Sequence, residues 1–177
     1  MQIIFSPQCL EYQSPGHPES PIRVKAAYEF LKEKGFVFIE PKACSEEDIL
    51  LAHSQELLDV VKNGKFFDAD TPNLKGIFEY ACLAAGAAVE AQEIALKREN
   101  AFSLMRPPGH HAGRDTLGGF CYFNNIAIAI AKALINPDFA CLPARQAIAK
   151  SARRADRLNG SFAFRVKILG LIIRNAD

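Results

Sequence analysis

The sequence lacks the features of membrane, secreted and disulfide-linked proteins. It has no apolar run near the roughly 18 residues that a membrane span needs. Its first residues, 1–5, lack the basic segment of a secretory signal, so we expect no signal peptide. The 5 cysteines are odd in number, and no two have Cys-x-x-Cys spacing, which predicts neither a disulfide framework nor a zinc knuckle. Free thiols in a reducing, cytoplasmic compartment fit this pattern best.

The composition is that of a globular domain, but charge is unevenly distributed. Of the 177 residues, 49% are hydrophobic and 23% are charged, which excludes collagen-like and disordered classes. The net charge of +1 points neither towards nor away from nucleic acid. Residues 1–134 hold 13 Lys and Arg against 17 Asp and Glu, whereas residues 135–177 hold 8 against 3. This change predicts a domain over 1–134 followed by a divergent basic tail over 135–177.

Short apolar segments alternate with helical patterns along the domain. Strands are predicted at 1–5, 36–39 and 101–105, the last two buried, and helices begin after Ser20 and Ser45 and cover about 57–61, 75–97 and 124–134. Gly86 lies inside the longest helical pattern, where it costs about 1 kcal/mol unless it permits close packing. The alternation predicts an α/β domain with a mostly parallel sheet, in which chemistry lies in loops at the carboxyl ends of strands.

The loop after 101–105 carries the residues best suited to chemistry. It reads R-P-P-G-H-H-A-G-R over 106–114 and continues as G-G-F-C-Y-F-N-N over 118–125. Histidine titrates near neutral pH and suits general acid–base work, while proline and glycine fix the backbone and let it approach a ligand. A His-His pair alone is equally compatible with a solvated turn. The three aromatics and one cysteine that follow are unusual in a surface loop and favour a site.

Together these runs closely resemble the signature of the histone deacetylase superfamily. H-P-E-S-P-I-R over 17–23, A-H-S over 52–54 and D-A-D-T over 68–71 also resemble family elements, so the resemblance covers about 1–134. The glutamate in the first element leans towards the class II and prokaryotic branch, which includes acetylpolyamine amidohydrolases. The resemblance implies an arginase-like open α/β fold, mostly parallel and flanked by helices, and hydrolysis of acetyl-amide bonds by a zinc-bound water.

The resemblance also implies roles for two catalytic histidines. His111 corresponds to the residue that usually acts as general base and acid, and His110 to its electrostatic helper. Amide hydrolysis needs a base for the water and an acid for the leaving amine, which makes chemical sense of the pair.

Five further residues match substrate or channel positions of the family. Gly119 and Phe120 resemble the wall of an apolar tunnel that fits the stem of acetylated lysine or of an acetylated polyamine. Asp70 resembles the rim aspartate that holds the substrate backbone. Arg23 resembles the arginine of an interior channel, with Cys121 near it.

The metal ligands of the family have no counterpart in this sequence. The family binds zinc through two aspartates and a histidine that follow the histidine loop, beginning with an Asp-x-His on the next strand. No histidine follows His111, and the only acids after 134 are Asp138, Asp156 and Asp177. An alignment of 168–174 with the metal-binding strand places residues there that cannot bind zinc. Zinc is therefore expected for the family, but no metal ligand is predicted in this chain.

Three functional hypotheses remain open at this point. The chain is a truncated deacetylase that is inactive alone, a metal-free pseudo-enzyme that binds acylated amines or a protein partner, or a basic-tailed binding module. Self-association is expected, because a shortened parallel sheet leaves an exposed edge. Nucleic acid is not predicted as a partner, since no aromatics interleave with the basic cluster Arg153, Arg154 and Arg157. A membrane partner is not predicted either.

Overall fold

A small parallel sheet lies at the centre of the fold. The computed structural model describes residues 1–136. It contains strands β1 (Gln2–Ile4), β2 (Phe38–Ile39) and β3 (Ala101–Ser103), arranged in the order β2-β1-β3. Ile3 of the central strand is opposite Phe38 on one side and Phe102 on the other, and both pairings are parallel. This confirms that the first strand and the strand before the histidine loop share a mostly parallel sheet.

The outer strands are shorter and more exposed than the sequence predicts. Only Phe38–Ile39 of the predicted strand 36–39 is extended, and Val37 is 75% exposed. Only Ala101–Ser103 of 101–105 is extended, and Phe102 is 51% exposed. Burial of these two strands was wrongly predicted, because within residues 1–136 each lies at an edge of the sheet with one neighbouring strand.

Within residues 1–136, five α-helices and a short 3₁₀ helix accompany the sheet. Ser45 and Ser54 cap two of them, accepting hydrogen bonds from the backbone N–H groups of Asp48 and Leu57. Ser20 precedes a helix that starts at proline, as predicted, although its side chain makes no capping bond. The helices are α1 (Pro21–Glu33), α2 (Glu46–Leu50), α3 (Gln55–Lys62), α4 (Ile77–Leu96) and α5 (Asn125–Ile135), with the 3₁₀ helix at Pro7–Leu10.

Helix α1 packs one of its two apolar faces against the sheet. Val24, Ala27 and Leu31 contact a buried cluster that includes Ile3, Phe5, Cys9 and Leu104. Ile22 and Phe30, on the other apolar face, are 64% and 58% exposed. Periodicity alone predicted that either apolar face of α1 could be the buried one. The position of the sheet decides that the face with Val24, Ala27 and Leu31 is buried.

Gly86 permits the close approach that would justify a glycine inside α4. A Cβ atom there would lie 1.9 Å from the carbonyl oxygen of Lys42. The backbone N–H of Cys44 donates to the carbonyl of Cys82 at 2.9 Å. This hydrogen bond holds the segment that contains Lys42 and Cys44 against α4. Packing thus offsets the loss of helix propensity.

The described cysteines are free and buried. Cys9, Cys44, Cys82 and Cys121 form no disulfide with one another. Burial raises the pKa of Cys9 to about 11 and the pKa values of Cys44 and Cys82 to about 12. These thiols are therefore protonated at neutral pH and pack as small apolar side chains.

The described residues include no helix that is both long and apolar enough to cross a membrane. Of the predicted basic tail, only Ile135 and Asn136 belong to the described residues. The basic cluster of the tail and the segment 168–174 lie outside them.

Candidate active site

The tandem histidines lie in the loop that follows β3. This loop runs from Leu104 to Asn124, the residue that caps α5. His110 and His111 are exposed, with ring centroids 4.2 Å apart and ring planes at 45°. The sequence therefore located the pair correctly, in the loop leaving the carboxyl end of a parallel strand.

The pKa of His110 is shifted in the direction of the uncharged imidazole. Partial burial lowers this pKa, and the proximity of His111 lowers it further. Both effects disfavour the imidazolium form.

Two glycines let the loop fold tightly around the histidines. A Cβ at Gly119 would lie 2.8 Å from Cδ2 of His111, and the residue has φ +55°. A Cβ at Gly109 would lie 2.5 Å from both the amide nitrogen of Asn125 and the carbonyl oxygen of Phe123. Both positions therefore require glycine, and Gly119 lies against the His111 ring.

The two asparagines of the second motif hold the first motif in place. The Asn124 side chain donates to the carbonyl of Ala112 at 2.9 Å and accepts from the N–H of Ala127 at 3.0 Å, which caps α5. The Asn125 side chain donates to the carbonyl of Pro107 at 3.2 Å. The second motif therefore acts in part as a scaffold for the histidine loop.

His53 adds a third support to this loop. Its side chain is buried, with Nδ1 donating to the carbonyl of Gly113 and Nε2 accepting from the N–H of Asn124, both at 2.8 Å. Burial is the main cause that lowers the pKa of His53. The sequence identified the A-H-S run only as a family element, and this bridging role was missed.

A buried ion pair lies below the loop. Nη2 of Arg106 donates to Oε2 of Glu19 at 2.7 Å, and Nη1 donates to the carbonyl of Cys9 at 2.7 Å. The guanidinium also lies 4.0 Å from the ring centroid of Tyr12. Arg106 and Glu19 are only 2% and 7% exposed. Sequence reasoning missed the pair, although each residue stands in a quoted motif, because they are 87 positions apart.

The predicted tunnel wall contacts the segment that carries the predicted rim aspartate. Phe120 has φ 71° and donates its backbone N–H to Oγ1 of Thr71 at 3.1 Å. Its ring meets the ring of His17 edge-on, with centroids 4.8 Å apart. Nε2 of His17 lies 3.2 Å from the carbonyl of Asp70, to which it donates. The structure thus brings Gly119, Phe120 and the backbone of Asp70 to one side of the histidine loop.

Two predicted residues lie apart from the groups they were expected to join. The side chain of Asp70 is exposed, and its backbone N–H donates to Oδ1 of Asp68 at 3.0 Å. It is Asp68, half-buried, whose Oδ2 would lie 3.8 Å from a Cβ at Gly118. Arg23 is exposed on α1, and the buried arginine is Arg106. The rim role of Asp70 and the channel role of Arg23 stay predictions.

Cys121 lies close to the backbone of the tandem histidines. Its Sγ donates to the carbonyl of Gly119 at 3.3 Å, and the side chain is fully buried. Burial raises the pKa of this thiol, against the opposing effect of the backbone N–H groups of His110–Ala112. The thiol therefore lies beside the backbone of the histidine loop, and its channel role stays a prediction.

The described residues do not fit a zinc site. Zinc sites in enzymes use three protein ligands plus water. Within residues 1–136, no three His, Cys, Asp or Glu side chains are grouped so that they could hold a metal ion. Among these residues, the tandem histidines therefore have no carboxylate neighbour that would complete such a site.

Comparisons with known proteins agree with this geometry. A family model described as "Histone deacetylase domain" matches residues 17–139. A "Probable deacetylase" of Archaeoglobus fulgidus is 40% identical over 141 residues, which cover 72% of this chain and 39% of that protein. A "Probable deacetylase" of Methanothermobacter thermautotrophicus is 41% identical over 143 residues, covering 77% and 43%. The "Polyamine deacetylase HDAC10" of Danio rerio is 36% identical over 135 residues, covering 67% and 20%.

A solved structure shares the fold. The HD domain of HDA15 has a TM-score of 0.67 and 30% identity, and the match covers 75% of this chain and 42% of that domain. This confirms the open α/β fold that the resemblance implies. The chain spans about two fifths of the length of the two archaeal relatives.

Proposed function

The chain belongs to the histone deacetylase family, and from that premise we propose that residues 1–136 supply the acid–base pair and part of the substrate wall of an acetyl-amide hydrolase. One observation supports this best. The rings of His110 and His111 lie 4.2 Å apart in the loop that leaves β3, with Gly119 packed against His111. General acid–base chemistry needs an imidazole held in such a fixed position.

In the proposed reaction His111 transfers protons while the acetyl group is released. It takes a proton from the water that attacks the acetyl carbonyl, and it gives a proton to the amine nitrogen as the C–N bond breaks. His110 stays uncharged beside it, in agreement with the lowered pKa of that residue. Acid–base help alone contributes roughly 10²–10⁴-fold, well short of the 10⁶-fold or more typical of enzymes. We therefore expect the 177-residue chain to be inactive alone.

The substrate class that we propose is an acetylated lysine or an acetylated polyamine. Both present an acetyl-amide on an aliphatic stem, which fits a wall built from Gly119 and Phe120. Asp68 and Asp70 lie on the neighbouring loop, where a carboxylate can accept hydrogen bonds from the rest of the substrate. We propose Asp70 as the rim residue, with Asp68 as the alternative that the structure adds.

The family suggests zinc, and we propose that this chain binds it weakly if at all. Two histidines are poor competition for a site that needs three protein ligands. Metal analysis after dialysis should give much less than one zinc per chain. Stoichiometric zinc that disappears in the His110→Ala and His111→Ala variants would contradict this proposal.

A chimaera tests the proposed roles directly. Residues 17–136 of this chain would replace the matching part of the Archaeoglobus fulgidus relative. We expect zinc-dependent hydrolysis of an acetyl-lysine peptide or N-acetylputrescine, with a loss of about 10²-fold or more in the His111→Ala variant. Paired Asp68→Asn and Asp70→Asn variants should separate the two rim candidates through KM.

The outcomes of this experiment separate the hypotheses. A folded chimaera whose activity does not depend on His111 would overturn the acid–base assignment. Binding of the acetylated amine without hydrolysis would favour the alternative, a metal-free module for acylated amines or for a protein partner. Chelator-resistant hydrolysis by the unmodified chain would overturn the proposal that it is inactive alone.

We also propose that the chain self-associates through the outer edge of β3. Among residues 1–136 no strand pairs with this edge, and Phe102 beside it is 51% exposed. Unpaired strand edges pair with other chains. Sedimentation velocity should show species larger than a monomer, and a Phe102→Lys variant should shift the distribution towards monomer. A monomeric wild-type protein would contradict this.

Finally, we propose a cytoplasmic location and a domain boundary near residue 136. The four buried free thiols fit a reducing compartment. The boundary is supported by the end of α5 at Ile135 and by the change in charge. Cell fractionation and limited proteolysis test the two proposals.

A further inference from the structure

His53 joins the middle of the histidine loop, at Gly113, to its end at Asn124 through a single buried imidazole. It stands between α2 and α3, and its side chain reaches Gly113 just after the tandem histidines and Asn124 at the start of α5. We propose that His53 is a positioning residue that holds the histidine loop only while its imidazole is uncharged, so that the loop is released when His53 takes up a proton.

The partners of His53 determine which nitrogen carries its hydrogen. The Gly113 carbonyl can only accept a hydrogen bond, so Nδ1 donates to it at 2.8 Å. The Asn124 N–H can only donate, so Nε2 must present its lone pair at 2.8 Å. A proton added at Nε2 would set two N–H groups against each other in a buried place. Protonation must therefore break the contact with Asn124.

These contacts hold parts of the loop directly beside the tandem histidines. Gly113 closes the turn after His111, with its N–H donating to the carbonyl of Thr116 at 2.9 Å. Asn124 caps α5 and donates through its side chain to the carbonyl of Ala112 at 2.9 Å. Losing the His53 contact would therefore loosen Ala112 and Gly113, which follow His111 in the chain.

The surroundings of His53 favour its uncharged form. The ring lies 5.5 Å from that of Phe123 on the α5 side, and the residue is only 2% exposed. The charged groups that act on it come from the loop, where Asp115 favours the imidazolium form and Arg114 opposes it. Burial is the largest effect and lowers the pKa of His53 below the ordinary value of 6.5. Release is therefore expected on the acid side of neutrality.

Nuclear magnetic resonance of the full chain, labelled with 15N, tests this proposal. Ring 15N shifts report the protonation of each of the 4 histidines, and backbone amide signals report the order of the loop. Between about pH 7.5 and 5, the amides of Gly113 and Asn124 should change with the midpoint at which the His53 ring is protonated, below 6.5. The backbone amide of Ala112, whose carbonyl accepts from the Asn124 side chain, should change with the same midpoint.

Two substitutions at His53 separate charge from shape. Glutamine offers one donor and one acceptor but does not titrate, so His53→Gln should keep the loop ordered and abolish the coupled transition. Leucine removes both bonds, so in His53→Leu the Asn124 amide should exchange roughly two- to tenfold faster at pH 7.5. If His53→Leu fails to fold, the pH transition of the loop amides can still be compared between His53→Gln and the wild type, and that comparison tests the proposal.

His17→Gln is the matched control. In His17, Nδ1 accepts from the N–H of Glu19 and Nε2 donates to the carbonyl of Asp70. His17 therefore has the same pattern of one acceptor and one donor, but it does not join Gly113 to Asn124. The transition should persist in this variant. The proposal would be overturned if the pH transition of the loop persisted in His53→Gln or disappeared in His17→Gln. It would also be overturned if His53 were protonated without a change in the amide signals of Gly113 and Asn124. The readout is loop order, so the result stands whatever the loop catalyses.

Discussion

Gly119 lies directly against the imidazole of His111. A Cβ atom at position 119 would be 2.8 Å from Cδ2 and 2.9 Å from Cγ of that ring. The backbone there is also left-handed, with φ +55°. Glycine is therefore required twice, once by the left-handed backbone and once by the His111 imidazole beside it.

We expect Gly119→Ala to reduce stability and to move the ring of His111. The left-handed backbone costs about 1–2 kcal/mol for alanine, and overpacking against the ring adds roughly 1–3 kcal/mol. Gly16→Ala is the control, since Gly16 has φ +74° but nothing within 4 Å of its Cβ position. Urea unfolding should show a larger loss for position 119. Equal losses, with unchanged His111 resonances, would contradict the expected contact.

Gly86→Ala should destabilise the protein although alanine is the better helix former. Helix propensity favours alanine by about 1 kcal/mol, but its Cβ would lie 1.9 Å from the Lys42 carbonyl oxygen. The segment that holds Lys42 and Cys44 would have to move away from α4. This would break the 2.9 Å hydrogen bond from the backbone N–H of Cys44 to the carbonyl of Cys82. Chemical denaturation should show a loss of at least about 1–3 kcal/mol. A variant more stable than wild type would rule out the close approach.

Breaking the buried ion pair of Glu19 and Arg106 should lower the free energy of unfolding more than breaking the exposed pair of Glu46 and Lys62. Glu19→Gln or Arg106→Met leaves its partner poorly compensated in the interior, at a cost of roughly 3–5 kcal/mol. Lys62→Met, which removes the exposed partner of Glu46, should lower the unfolding free energy far less, because solvent screens that pair. Measured free energies of unfolding check the comparison. The double variant Glu19→Leu with Arg106→Met should lose less unfolding free energy than the sum of the losses in its two single variants. Similar small losses at both pairs would show that Glu19 and Arg106 are solvated.

Stability should fall as the pH drops below the ordinary histidine pKa of 6.5. The pKa of His53 is lowered in the folded state, chiefly by burial. Between the folded and unfolded pKa values the unfolded chain therefore binds more protons, and acid favours unfolding. One such group gives a slope of at most about 1.4 kcal/mol per pH unit.

Unfolding in urea at about pH 7.5, 6.5 and 5.5 measures this slope. His53→Gln should flatten it. His110→Gln should flatten it less, since the His110 side chain is exposed whereas His53 is only 2% exposed. A slope unchanged by His53→Gln would show that other groups control the acid sensitivity.

Local signals in the sequence predicted much of the fold. The cap at Ser45, the helix start at Pro21 and the histidine loop after a strand are all decided by neighbours along the chain. That β1 and β3 share one mostly parallel sheet was predicted from the alternation of elements and the order of the motifs, and the structure confirms it. Gly86 was correctly singled out because an unfavourable residue inside a helix needs a packing reason.

The contacts between distant residues could not be predicted in this way. Glu19 and Arg106 each resemble a solvated charge in a loop until folding brings them together. His53 carries no local sign that its two nitrogens face a carbonyl and an amide from different segments. The exposure of Phe102 depends on which strands flank β3, which no single segment encodes.

The order β2-β1-β3 has a consequence for the timing of synthesis. On the ribosome β1 is made first, yet one of its two neighbours, β3, lies nearly a hundred positions later. At about 5–20 residues per second, β1 waits roughly 5–20 s before β3 has been translated. In that interval only β2 can cover one side of Ile3 and Ile4. The growing chain thus carries a central strand with one edge unpaired until β3 has been made, and this is the stage at which a chaperone would contact it.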